Sequence, residues 1–372
     1  MTQRFTLIVV MILAGYCAAQ PAPADEHVPA EAPAINLDVR LSLQFRYTAS
    51  FAPEAPDPID DPAIGFSFRR LRPKVVFETE DGSLKGVFQL EGRSQSGLQV
   101  VDAYIAYSLG DGYRLRFGQF VAAFDREAMV SSTKQLTLER SASANTLNPN
   151  STDRVQGFEL RYGEERDRAY FTFSDGFSQT NTAFNESASA WGVTVRYERL
   201  LIGNSFNQMK QFTAPRGAPR ALMLGIAGHV QGIPGGGDRA AWTADLSFQD
   251  NGFNALLKST GHTAEDRNTG LSPEPESAFG VLGQMGYYIS ETVEPFVRYE
   301  WATTSDEAHA DLSAMTVGFN WYIMGQALKV VTDFTVAFDG VGPAFDRTRD
   351  GLILTPGSAD RFVFRTQIQM LF

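Results

Sequence analysis

From Asn36 the chain alternates apolar and polar residues. Leu37, Val39, Leu41, Leu43, Phe45 and Tyr47 point one way, with Asp38, Arg40, Ser42, Gln44, Arg46 and Thr48 between them. A period of two held over a dozen residues predicts a strand with one apolar and one polar face. Strands of soluble sheets average about five or six residues, whereas crossing a bilayer takes about nine to eleven tilted ones, so the length favours a membrane barrel. The same pattern closes the chain, where Phe362, Phe364, Thr366, Ile368, Met370 and Phe372 alternate with Arg361, Val363, Arg365, Gln367 and Gln369. Further strands are expected near 66–79, 83–93, 98–108, 113–120, 155–163, 168–174, 190–198, 221–231, 240–250, 253–261, 277–288, 293–302, 312–322 and 327–337.

The connections alternate in length. Glu80-Asp81-Gly82, Gly110-Asp111-Gly112, Glu164-Glu165-Arg166, Asp250-Asn251-Gly252 and Met324-Gly325 read as tight turns, and those between them are mostly longer. Short turns on one rim and long loops on the other are the connectivity of transmembrane barrels. The expected fold is therefore all-β: an up-and-down antiparallel transmembrane barrel of about sixteen strands, occupying residues 35–372. One segment breaks the rule, because 199–220 falls on the short-turn rim yet is long. A misread strand pair there would make the count fourteen or eighteen.

Composition narrows the class. Hydrophobic residues make up 43% and aromatics 12%, with Phe 28, yet mean hydropathy is −0.18, so the apolar residues are dispersed among polar ones. A net charge of −11 argues against nucleic-acid binding, which draws its affinity from clustered Lys and Arg. At the N-terminus, Arg4, the apolar run Phe5 to Ala14 and Cys17-Ala18-Ala19 read as a secretory signal at residues 1–19. Its removal takes away the single Cys, and with it thiol chemistry, Cys-held metals and disulfides. Residues 20–34, rich in Pro and Ala, read as a periplasmic tether. Tyr107, Tyr113, Trp191, Tyr197, Trp242, Tyr287, Tyr299, Trp301 and Trp321 fall near strand ends or on the apolar phase, as expected at the headgroup level of outer-membrane lipid.

Alternate residues of a closed barrel face its lumen, so the polar phase describes a pore wall. In the first five strands the bases are Arg40, Arg46, Arg69, Arg70, Arg72, Lys74, Lys85, Arg93, Arg114 and Arg116, against Asp38, Glu78, Glu91 and Asp102. Leu71, Val75 and Phe77 point outward, which turns Arg72, Lys74 and Glu78 inward. Phe66 and Phe68 are in the opposite phase, so a bulge is expected at Arg69-Arg70. Two readings of this wall stand. Its guanidinium forks suit oxyanions such as phosphate, or its arginines pair with Glu78, Glu91 and Asp102 and keep the lumen rigid. The connection from Val121 to Thr152 lacks alternation and carries Arg126, Lys134 and Arg140 with Asp125, Glu127 and Glu139. Folded into the barrel, a loop of this length narrows the channel.

An enzyme reading finds little support. Of the histidines, His27 lies in the tether, His262 and His309 in expected outer loops, and only His229 on a strand, facing inward. No spacing pairs a nucleophile with an oriented base, no metal-ligand spacing occurs, and no cofactor is called for. Gly235-Gly236-Gly237 belongs to an expected hairpin loop and is not a phosphate loop. A plugged binding barrel would need a plug domain, and the tether lacks apolar residues to form one.

Phe68-Arg69-Arg70-Leu71-Arg72, Val101-Asp102-Ala103-Tyr104-Ile105-Ala106-Tyr107, Leu115-Arg116-Phe117-Gly118-Gln119-Phe120, Phe124-Asp125-Arg126-Glu127 and Glu139-Arg140-Ser141 occur in that order. With Asp153-Arg154 before Gly157, Val317-Gly318-Phe319-Asn320-Trp321-Tyr322 and the terminal strand, they resemble the phosphate-selective porin O and P family. The resemblance implies a sixteen-stranded, usually trimeric outer-membrane porin whose third outer loop folds inward and whose Arg and Lys residues pass small anions. Arg69 and Arg70 would match the family's paired arginines, and Asp102 the acid of its Asp-Ala-Tyr strand, there to orient a basic neighbour. The family's third loop supplies lysines at the constriction. Here Lys134 stands alone, with Arg126 and Arg140 as substitutes. Arg72, Lys74 and Arg116 complete the expected wall. A weakly selective general porin on the same barrel is the alternative, followed by a non-conducting barrel with a binding or hydrolase role. Pro73 and Gln156 depart from the regular pairing expected of relatives.

Overall fold

The computed structural model describes residues 34–53, 62–93, 97–147, 154–177, 181–183, 191–233, 236–264, 277–305, 311–355, 357 and 359–372. The expected signal, most of the tether, His27, His309, Asp153, Pro234 and Gly235 lie outside them.

Sixteen antiparallel strands close into one barrel. In chain order they are β1 Ile35–Phe51, β2 Ala63–Thr79, β3 Leu84–Arg93, β4 Gly97–Gly110, β5 Tyr113–Val121, β6 Arg154–Gly163, β7 Asp167–Ser174, β8 Trp191–Ile202, β9 Ala221–Ile233, β10 Gly236–Asp250, β11 Phe253–Ala264, β12 Ser277–Tyr287, β13 Val293–Thr304, β14 Asp311–Tyr322, β15 Leu328–Phe338 and β16 Arg361–Leu371. Each pairs with its chain neighbours, and β1 closes on β16 through Ser42↔Leu371 to Phe51↔Phe362. Closure leaves no free sheet edge, the condition for spanning hydrocarbon with strands.

The barrel is apolar outside and polar inside. Leu37, Phe66, Ile105, Phe117, Leu257 and Trp321 are exposed on the outer face, whereas Arg46, Arg196, Arg365 and Lys329 are among the largest fully buried side chains. The expected bulge is present. Gln44 pairs with Arg70 and Phe45 with Phe68, so Arg69 is the inserted residue and both arginines are buried. Pro73 pairs opposite Leu41 without a shift, although no β2–β3 pair forms between Leu71↔Gly92 and Lys74↔Gln89. Gly118 of β5 pairs with Tyr104 of β4. Its φ is +125°, and a Cβ there would lie 2.2 Å from the Ala103 carbonyl oxygen.

The long connection at 203–220 hides no strand. Ser205 caps a 3₁₀ turn over Phe206–Met209, and Phe206 and Met209 pack inside with Leu200, Ala221 and Met223. Two expectations are corrected by strand length. β11 runs on to Ala264, which puts His262 on a strand instead of in a loop, and Gly236-Gly237 open β10. His229 is inward and buried, between Thr194 and Gln231.

Candidate functional site

The connection after β5 is fastened to the inner wall by charged side chains. Asp125 caps a short helix over Arg126–Met129, accepting from the Glu127 N–H at 2.7 Å and the Ala128 N–H at 3.3 Å. Its other oxygen accepts from Lys258 Nζ of β11 at 2.8 Å. Lys258 also pairs with Glu127, which accepts from the Ser141 N–H at 3.0 Å and its hydroxyl at 2.6 Å. Burial alone would raise the Glu127 carboxyl, but Lys258 and Arg298 hold it below the usual carboxylate range. Arg196 of β8 donates to the Phe124 carbonyl at 2.8 Å, Asn320 of β14 to that of Leu136 at 2.8 Å, and Gln369 of β16 to that of Thr133 at 2.9 Å. Anchors on strands this far apart carry the loop across the barrel interior.

A second cluster joins the loop to β1 and β2. Glu139 accepts a fork from Arg69, with Nη2 to Oε2 at 2.9 Å. Arg46 pairs with it at 2.7 Å and Arg70 at 3.3 Å. Burial opposes the charge on Glu139, and Arg69, Arg70 and Arg46 together hold its carboxyl well below the usual range. Glu91 takes Arg72 at 2.9 Å and Arg70 at 3.6 Å.

The expected site residues divide accordingly. Arg69, Arg70, Arg72, Lys74, Asp102 and Arg116 all lie on the wall of β2, β4 and β5. Asp102 accepts from Arg154 at 2.9 Å, and Arg116 pairs with Glu159 at 2.8 Å while its guanidinium lies 3.9 Å over the Phe120 ring. Lys74 has no ion pair among the described residues. From the loop, Arg140 lies within electrostatic reach of Arg72, though it also donates to the Glu127 carbonyl at 2.8 Å. Arg126 turns away from this wall toward β10 and the 203–220 segment, donating to the Met209 carbonyl and Ser247. Lys134 is half-buried, and its carbonyl accepts from the Phe212 N–H at 3.0 Å. The structure thus groups Arg140 with the wall and separates Arg126 from it.

Along β3 to β7 the loop leaves a cavity of about 300 Å³, lined by Lys85, Arg114, Arg116, Arg161, Glu159 and Tyr170 among others. Four bases meet one acid there. Arg114 and Arg161 are direct partners across β5 and β6, and neither has an ion pair among the described residues. Like charges placed opposite each other on adjoining strands destabilise a sheet. Arg40 and Lys74 also lie opposite each other across β1 and β2, although Arg40 there pairs with Asp38.

Sequence reasoning centred on the first five strands did not single out Lys258, Arg161 or Arg298. Each is a charged residue in the inward phase of a later strand, and that phase was the available signal. Gln119 and Gln156 likewise face inward and clamp the segment after β7, with Asn181 N–H donating to Gln119 Oε1 at 2.8 Å and Thr182 N–H to Gln156 Oε1 at 2.9 Å.

Similar folds recur among solved porins. An anion-selective porin from Comamonas acidovorans matches with a TM-score of 0.62 at 12% identity, covering 91% of this chain and all of that one. Salmonella typhi OmpF, in complex with daunomycin, gives 0.61 at 11% identity, covering 90% and 97%. The trimer form of OmpT from Vibrio cholerae gives 0.58 at 10%, covering 91% and 100%. No curated protein matches in sequence. The family model for phosphate-selective porin O and P matches residues 63–210, which run from the paired arginines through the anchored loop to the 203–220 segment. That match covers less than half of the chain, which is therefore similar to phosphate-selective porin O and P over residues 63–210 and, around that stretch, folds as the closed barrel of an outer-membrane porin.

Proposed function

We propose that this porin passes small anions by passive diffusion, selecting them electrostatically and without chemistry, as a channel and not an enzyme. The observation that carries the reading is the unpaired Arg114/Arg161 couple on the wall the loop leaves open. Two arginines set directly across adjoining strands cost stability, and their charge lowers the barrier for an anion entering a low-dielectric passage. Arg72, Lys74, Arg116 and Arg140 extend that basic surface toward the cluster at Arg69 and Arg70, with Asp102 orienting Arg154. Phosphate is the proposed preferred anion, consistent with the family description, and the assembly is proposed to be a homotrimer in outer-membrane lipid. Residues 1–19 are proposed as an export signal and 20–34 as a periplasmic tether. A weakly selective general porin is the second reading. It is favoured by the carboxylates that already occupy Arg69, Arg70 and Arg72.

The test is the double variant R114Q/R161Q, reconstituted in planar bilayers. Anion preference should fall several-fold while folding is retained or improved, by about 0.2–1 kcal/mol, because the like-charge pair is gone. Unchanged selectivity removes the couple from the pathway.

A further inference from the structure

The cluster around Glu139 holds more positive charge and more donors than its carboxylates use. Arg46, Arg69 and Arg70 are no more than 7% exposed and converge on the two oxygens of one side chain. Arg46 Nη1 is buried without a hydrogen-bond acceptor, and Arg70 Nε reaches only Glu91 at 3.6 Å, beyond hydrogen-bond length, while the other donors of these two arginines go in part to Gln367, Gln44 and the Leu138 carbonyl. Buried guanidinium N–H groups normally find acceptors, so the seat is underfilled by a carboxylate. A tetrahedral oxyanion presents more oxygens and, as a dianion, twice the charge, which matches what the three forks leave unused. Nor is the cluster sealed off. Arg69 lines a cavity of about 660 Å³ at the loop rim, together with Ser50, Ser67, Arg347 and Arg349.

We propose that Glu139 is a tethered counter-anion that sets the porin's selectivity: it occupies, from the inward loop, a seat on Arg46, Arg69 and Arg70 that would otherwise bind a dianionic tetrahedral oxyanion. The chain therefore lets anions past this wall without retaining them. The proposal rests on the anion-passing reading above. Glu139 is a specificity-determining residue here, and its backbone carbonyl, which accepts from Arg298 at 2.8 Å, serves the separate task of anchoring the loop.

The test compares wild type, E139Q, E139D and R69Q/E139Q, each purified as the folded barrel. Inorganic phosphate is titrated against chloride conductance, and thermal unfolding is followed with and without phosphate. In E139Q, half-block should occur at a phosphate concentration at least tenfold lower than in wild type, and phosphate should raise the melting temperature of E139Q but not of wild type. R69Q/E139Q should lose both gains. E139D keeps the charge but draws it back by one methylene, and should shift block in the same direction by less. Should E139Q not fold, the E139D titration decides the matter. A change in conductance amplitude or noise with block unchanged in every folded variant would overturn the proposal, leaving Glu139 as a loop anchor only. If wild type itself prefers cations, the underlying anion reading fails instead.

Discussion

Lys258→Met isolates the contact that seats the loop. The methylene stem is replaced by one of similar volume, and two buried carboxylates, Asp125 and Glu127, lose their shared cation. Removing one partner of a buried ion pair costs about 3–5 kcal/mol. Part is kept, since Asp125 still caps its helix and Glu127 still accepts from Ser141. With about 1 kcal/mol retained for each of the two sets of hydrogen bonds, a loss of about 1–3 kcal/mol in loop seating is expected. That is a factor of about 5 to 150 in the seated population. The sign with pH follows from the Glu127 carboxyl. In wild type it is held low, so its contribution is complete above the unfolded carboxylate range and is lost as pH falls toward about 2. In K258M burial is opposed only by Arg298, so the carboxyl rises relative to wild type, and the loop is loosest at neutral pH and reseats as acid protonates it. Single-channel recordings at stepped pH and tryptic cleavage at Arg126, Lys134 and Arg140 read this out. K258M should be noisier, more conducting and more readily cut at pH 7, and should approach wild type as pH is lowered. Wild-type noise and protease resistance at neutral pH would refute the anchoring role.

Two further outcomes follow from backbone and rim geometry. G118A should lower refolding yield and the urea midpoint, because the added methyl lies 2.2 Å from the Ala103 carbonyl and the residue's φ is +125°; a wild-type urea midpoint would show that β4 and β5 separate without cost. Replacing residues 204–219 with a tight Asn-Gly turn should raise conductance, since Phe212 and Met209 touch the inward loop from the turn rim; unchanged conductance and noise would mean the segment does not border the passage.

The strands were legible because a lipid-facing barrel repeats one rule along its length. Even the departure at Arg69-Arg70 showed, as two phenylalanines out of phase with Leu71 and Val75. The 203–220 segment was flagged by its length, but its inward course depends on Phe206 and Met209 finding a pocket beside Leu200, which periodicity does not encode. Charge partners were harder still. The inward position of Arg69 could be read from its strand, whereas Glu139 lies 70 residues away in a segment without a period. Lys258 is an ordinary inward residue of β11 until the loop brings Asp125 and Glu127 against it. Alternation assigns a face. Which base meets which acid is settled by the path of the loop, and so the division between paired arginines and the open Arg114/Arg161 couple emerged only with the fold.

The most direct measurement is the zero-current potential of the wild-type protein in a planar bilayer under a potassium chloride gradient. The basic wall along β3 to β7 predicts a potential whose sign reports preferential chloride movement, weakening as ionic strength rises and screens the charges. A cation-selective or unselective potential at low salt would contradict it, showing that the acidic residues of the rims, and not the Arg114/Arg161 wall, govern what passes.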